Sequence, residues 1–192
     1  YLGECDEIPQ QTLKTIEDRL LQTVRGNDHP LVRRRALEAL GFSGRAEVPV
    51  LIEDAFTSED DEWVASALLA MGRSIDKRWG GDVLEVLNSS SPLVRMEAAR
   101  AAGELEIEKA VSFLFVLLDD ADSGVRGAAI WSLSQIGGEG VTGALEEMLE
   151  NTGDSGEAAL LETALDNLVF TEEFRSLLKP LTLHPLPAYR GG

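Results

Sequence analysis

One phrase recurs along this 192-residue chain: a polar turn, a helix opening on a valine–arginine pair, small residues at helical spacing, then glycine. It is cleanest over residues 120–137, where Asp120-Ala-Asp-Ser-Gly leads into Val125-Arg126 and Gly137 follows. The Val125 slot has counterparts at Val32, Trp63, Val94 and Glu157, spaced 31 or 32 residues apart. A fixed period of that length describes stacked helical units, each too small to bury its own apolar face and each covering its neighbour. The expected fold class is all-α: an α-α superhelix, or solenoid, of about five helix pairs plus a C-terminal helix near 172–178.

The register within each unit follows from helix geometry. Counted from the Val slot as zero, apolar residues recur at +4, +7, +8 and often +11, which places them on one stripe of a helical wheel. The +4 slot reads Ala36, Ala67, Ala98, Ala129 and Leu161. Small side chains there let neighbouring helices approach closely. The opposite slots, +2, +5, +6 and +9, are expected on an open face. Glycines at Gly41, Gly72 and Gly103 read as helix stops. The division that results is an irregular lead-in over 1–10, a repeat domain over 11–178 and an extended or disordered tail over 179–192, which holds three prolines.

Composition narrows the function. The chain carries 34 acidic and 17 basic side chains, a net charge of −17. Such a field repels phosphate backbones, so no nucleic acid partner is expected. No apolar run is long enough to cross a bilayer, so no membrane association is expected and a cytoplasmic location is the default. Cys5 stands alone, and the two histidines, His29 and His184, lie in a turn and in the tail. They cannot build a repeated histidine metal cluster. Asp120-x-Asp122-x-Gly124 has the start of a calcium loop but not its late glutamate, and Gly137-Gly-Glu-Gly140 lacks the lysine of a phosphate loop. No catalytic residue, metal or cofactor is therefore expected.

The slot after valine reads Arg33, Arg95 and Arg126, and arginine there can reach back to the polar turn. Asp120 with Arg126 is the expected structural turn pair. Val32-Arg33…Ala36…Ala39-Leu40-Gly41 and Val94-Arg95…Ala98…Ala101-Ala102-Gly103 resemble the HEAT repeat family from about Gln11 to Leu178. The short period is similar to the HEAT-like repeats first named from phycobilisome (bilin) lyases. The resemblance implies a concave face lined by the second helix of each pair, and a partner protein bound on it. On that face the slots +2 and +6 supply Arg34, Glu38, Leu69, Met96, Arg100 and Trp131 as candidate partner-binding residues. Tryptophan and arginine are the types most enriched at binding hot spots. The expected function is a non-enzymatic protein–protein interaction scaffold whose partner offers a basic or apolar segment. A bilin lyase or isomerase subunit is the alternative that the repeat length suggests.

Overall fold

The structure, a computed structural model, describes residues 10–182, with side chains described through residue 170. Ten α-helices follow one another there: α1 (Gln10–Arg25), α2 (Pro30–Leu40), α3 (Val48–Phe56), α4 (Asp61–Ser74), α5 (Gly80–Val86), α6 (Pro92–Glu104), α7 (Val111–Leu117), α8 (Ser123–Ile136), α9 (Val141–Asn151) and α10 (Ser155–Thr182). Short 3-10 turns, Lys77–Trp79 and Glu108–Ala110, lead into α5 and α7. Each odd-numbered helix packs on the even-numbered helix that follows it, which gives the five pairs of the solenoid. The even helices also stack on one another, α2 on α4, α4 on α6, α6 on α8 and α8 on α10, with the closest association among α4, α6 and α8. This layer of second helices is the spine of the molecule.

The helix starts are fixed by the polar turns. The residue three before the Val slot caps its helix: His29 accepts from the Leu31 amide, Asp60 from Glu62, Asp122 from Gly124 and Val125, and Asp154 from Gly156 and Glu157. Such caps satisfy amides that have no partner inside the helix and favour negative charge at its positive end. Two residues earlier, the side chains of Ser58, Ser89, Asp120 and Thr152 accept from the capping residue's own amide or its equivalent. The acidity of the turns is thus largely local capping.

Packing of the spine explains the small residues and corrects the reading of the glycines. Gly72 and Gly103 are not stops but lie inside α4 and α6. A Cβ on Gly103 would meet the Ser132 Cα at 2.9 Å, and one on Gly41 would meet the Ala70 carbonyl oxygen at 2.8 Å. The +9 slot of one repeat receives the +7 slot of the next, and only glycine leaves room for a backbone that close. Gly41 does cap α2, and Gly137 ends α8: its φ of 68° suits glycine, and its amide donates to the Leu133 carbonyl at 2.8 Å.

The same packing overturns the expectation that +5 and +9 face outward. Leu37, Leu68, Ala99 and Ile130, the +5 residues of the first four repeats, are fully buried between successive second helices. A second helix touches its own partner and two neighbours, so its buried arc is wider than one stripe. Val32 shows the converse: it is 50% exposed, where Val94 and Val125 are buried against a preceding repeat. At the other end, the expected separate C-terminal helix is instead part of α10, which runs unbroken through Thr182. Helix therefore also covers 179–182, the first part of the expected tail. The remainder of that tail, with His184, and residues 1–9 of the lead-in, with Cys5, lie outside the described residues.

Candidate functional site

Two sets of arginines define the two ends of the second helices. At the turn end, each guanidinium first ties its own repeat together. Arg33 Nε donates to the Val24 carbonyl at 2.8 Å, Arg95 Nη1 to the Ser89 carbonyl at 2.8 Å, and Arg126 Nη1 to the Asp120 carbonyl at 3.0 Å. The other edge of each then reaches the following repeat. Arg33 lies over the Trp63 ring, 5.2 Å from its centroid, Arg95 makes a bidentate pair with Asp120 at 2.8 and 2.9 Å, and Arg126 pairs with Glu157 at 2.7 Å. The expected Asp120–Arg126 contact therefore runs through the Asp120 backbone, because Arg95 occupies its carboxylate.

This ladder accounts for the two departures from valine. Trp63 and Glu157 sit in the Val slot, and each is the partner of the preceding repeat's arginine. The charge-assisted bonds have electrostatic consequences. The hydrogen bond from Arg95 holds the Asp120 carboxyl below the usual carboxylate range, and the bond from Arg126, helped by Thr152, does the same for Glu157.

A groove of about 530 Å³ crosses four consecutive second helices, from the C-terminal parts of α4 and α6 to the N-terminal parts of α8 and α10. Its apolar wall comes from Leu68 and Leu69 of α4, Ala128 and Trp131 of α8, and Leu160 of α10. Gly72, Gly124 and Gly127 keep its floor low, and Arg73, Arg100 and Glu104 supply its charge. Trp131 is held where a Gly103 Cβ would be, 2.6 Å from its Cζ3 atom, so the glycine that brings the helices together also seats the indole.

The six candidate residues separate in the structure. Leu69, Arg100 and Trp131 line the groove together. Met96 is half-buried beside it, its sulfur 3.2 Å from the Cβ that Gly124 lacks. Arg34 instead pairs with Glu62 at 2.6 Å at the start of α4. Glu38 is buried rather than open: its carboxylate accepts from Ser66 Oγ at 2.8 Å and from Arg35 at 2.6 Å, and it helps join α2 to α4.

Close by, Glu97 is also buried. Arg100 reaches its Oε1 at 3.3 Å, and its Oε2 has no hydrogen-bond partner. Burial is the main cause that lifts the Glu97 carboxyl above the ordinary range, with Glu38 adding repulsion and Arg100 opposing the shift.

Sequence reading missed Arg73, Glu104 and Leu160. With Gly72 taken as the end of α4, Arg73 fell into a connector, and Glu104 was lost beyond Gly103 in the same way. Leu160 lies in the fifth repeat, where Glu157 obscures the pattern. The usable signal was the absence of any turn residue beside Gly72 and Gly103, in contrast to the Gly137-Gly138 pair. Among the described residues, no group of three His, Cys, Asp or Glu side chains is placed to hold a metal ion, and no helix is long and apolar enough to cross a membrane.

The family model for HEAT repeats matches residues 82–166, from α5 into α10. Over those residues the chain is similar to HEAT repeats. No curated protein matches it. Among solved structures, two are similar to this chain in fold. One is a designed armadillo repeat protein in complex with the peptide (KR)4, 20% identical, with a TM-score of 0.52 over 85% of this chain and 95% of that one. The other is an engineered protein, also 20% identical, with a TM-score of 0.51 over 89% of this chain and 90% of that one. At such identity both likenesses concern the fold.

Proposed function

We propose that the protein is a non-enzymatic scaffold that binds a partner polypeptide in the groove formed by α4, α6, α8 and α10. The observation that carries this reading is the groove itself: a half-buried tryptophan and two leucines beside two arginines, open to solvent on an otherwise strongly acidic protein. Sites of this volume with an apolar wall and a few convergent polar groups are the usual form of a binding pocket. A spine already locked by inter-repeat contacts orders little on binding, which keeps the entropic cost of association low. The designed armadillo protein solved with (KR)4 is a solenoid of related fold that holds a peptide, and the expectation for this chain extends to a polypeptide ligand in general.

Affinity capture from source-organism lysate tests the reading, with wild type run beside a variant carrying Leu69→Glu and Trp131→Ser. Circular dichroism establishes that both are folded. The expected result is a polypeptide retained by wild type and lost by the folded variant. Equal retention by both would move the binding surface elsewhere.

A further inference from the structure

We propose that the segment taken by this groove carries one carboxylate beside a large apolar side chain, the carboxylate meeting Arg73 and Arg100. The inference rests on the groove reading above and adds the chemistry of the ligand. Its starting point is an imbalance. Acidic side chains outnumber basic ones two to one in this chain, 34 against 17, yet Arg73 makes no ion pair among the described residues. Its Nη1 donates to the neutral Glu38 carbonyl at 2.9 Å, and its guanidinium stacks 5.5 Å from the centre of the exposed Phe42 ring. The rest of its donor fork is open.

Arg100 is scarcely better matched. Its side chain is 50% exposed, and its one carboxylate contact, to Glu97, is 3.3 Å long, against 2.7–2.9 Å for the turn arginines. Glu97 is buried, and its charge acts on Arg73 and Arg35 as well as on Arg100, so it is not a dedicated partner of Arg100. Glu104 lines the same groove but pairs with neither arginine. Two under-satisfied guanidiniums next to an apolar hollow form a donor site for a carboxylate, with Leu69, Trp131 and Leu160 ready for the side chain beside it. The overall charge of −17 sets the limit on that ligand: a run of acids would be repelled at long range, so a single carboxylate in an otherwise neutral segment is the fit.

A phage-displayed library of random peptides, selected on the wild-type protein, tests the assignment. The controls are a folded Arg73→Gln/Arg100→Gln variant and two folded groove-blocked variants, Leu69→Glu and Leu160→Glu. The expected enrichment is for a single Asp or Glu flanked by Leu, Phe or Trp. A synthetic peptide of that sequence should bind about tenfold more weakly to the double glutamine variant, as should its Asp→Asn or Glu→Gln form to wild type, the scale of one lost charge-assisted hydrogen bond. Both groove-blocked variants should lose it altogether. Basic or uncharged peptides that bind wild type and the double glutamine variant alike, but not the blocked variants, would overturn the carboxylate and leave the groove standing. No enrichment, or equal binding by the blocked variants, would overturn both.

Discussion

The arginines at the turns and the arginines of the groove put the same residue type to opposite purposes. Arg95 and Arg126 are held at three or four points each, by carbonyls of their own turn and by a carboxylate of the next repeat. Arg73 and Arg100 are anchored once each, one to a carbonyl and one to a buried acid through a long contact. The difference shows how a repeat protein separates cohesion from recognition. Where an arginine's contacts tie its own turn to the next repeat, the residue fixes the stacking register. Where donors are left over beside half-buried indole and leucine, the residue is available to a ligand.

That contrast can be broken most severely at Gly103, which brings α6 and α8 together and seats Trp131. Gly103→Val should destabilise the protein by about 3 kcal/mol or more, because the added atoms meet Trp131 and the α8 backbone, and thermal or urea denaturation would show it. Arg95→Ala should cost about 2–3 kcal/mol, since it strands the nearly buried Asp120 carboxylate. The acid limb of the stability curve provides a second readout. Asp120 titrates below its unfolded value, so its contribution is present at neutral pH and is lost as pH falls through the unfolded and then the folded pKa. In Arg95→Ala that acid-sensitive part should be reduced.

Glu97→Gln sharpens the groove side. A carboxyl whose folded pKa is raised makes the protein progressively less stable as pH rises from its unfolded value through its folded one. The glutamine variant should therefore gain stability over wild type on going from pH 5 to pH 8 in urea titrations, and show no gain below pH 4. The smallest effect belongs to Arg73→Gln and Arg100→Gln, which should each change stability by less than about 0.5 kcal/mol, in line with arginines that have no strong carboxylate partner. A large loss in either would assign these residues to cohesion and erase the distinction.

Much of the fold was legible because a repeat states its rule several times over. The period, the Ala at +4 and the capping turns all follow from residues 27–36 and their counterparts, and local capping chemistry needs no knowledge of the neighbour. What escaped depends on the neighbour. The glycines of α4 and α6 look like stops until the next helix is seen against them. Glu38 looks exposed on one wheel and is buried once α4 covers it. The site was half readable for the same reason: Leu69, Arg100 and Trp131 repeat in one slot, whereas Arg73 and Leu160 enter only through the stacking. Asp120 meets Arg126 through its carbonyl and Arg95 through its carboxylate, a link that only the stacking of repeats reveals.

The most direct measurement places a photo-crosslinking residue at two exposed or half-exposed positions of one protein, Leu69 in the groove and Val116 on the outer helix α7, and irradiates each form in source-organism lysate. The account predicts a discrete polypeptide adduct from position 69 and none from position 116, with the adduct suppressed by Arg73→Gln/Arg100→Gln. The same adducts from both positions, or an adduct from 116 alone, would contradict it.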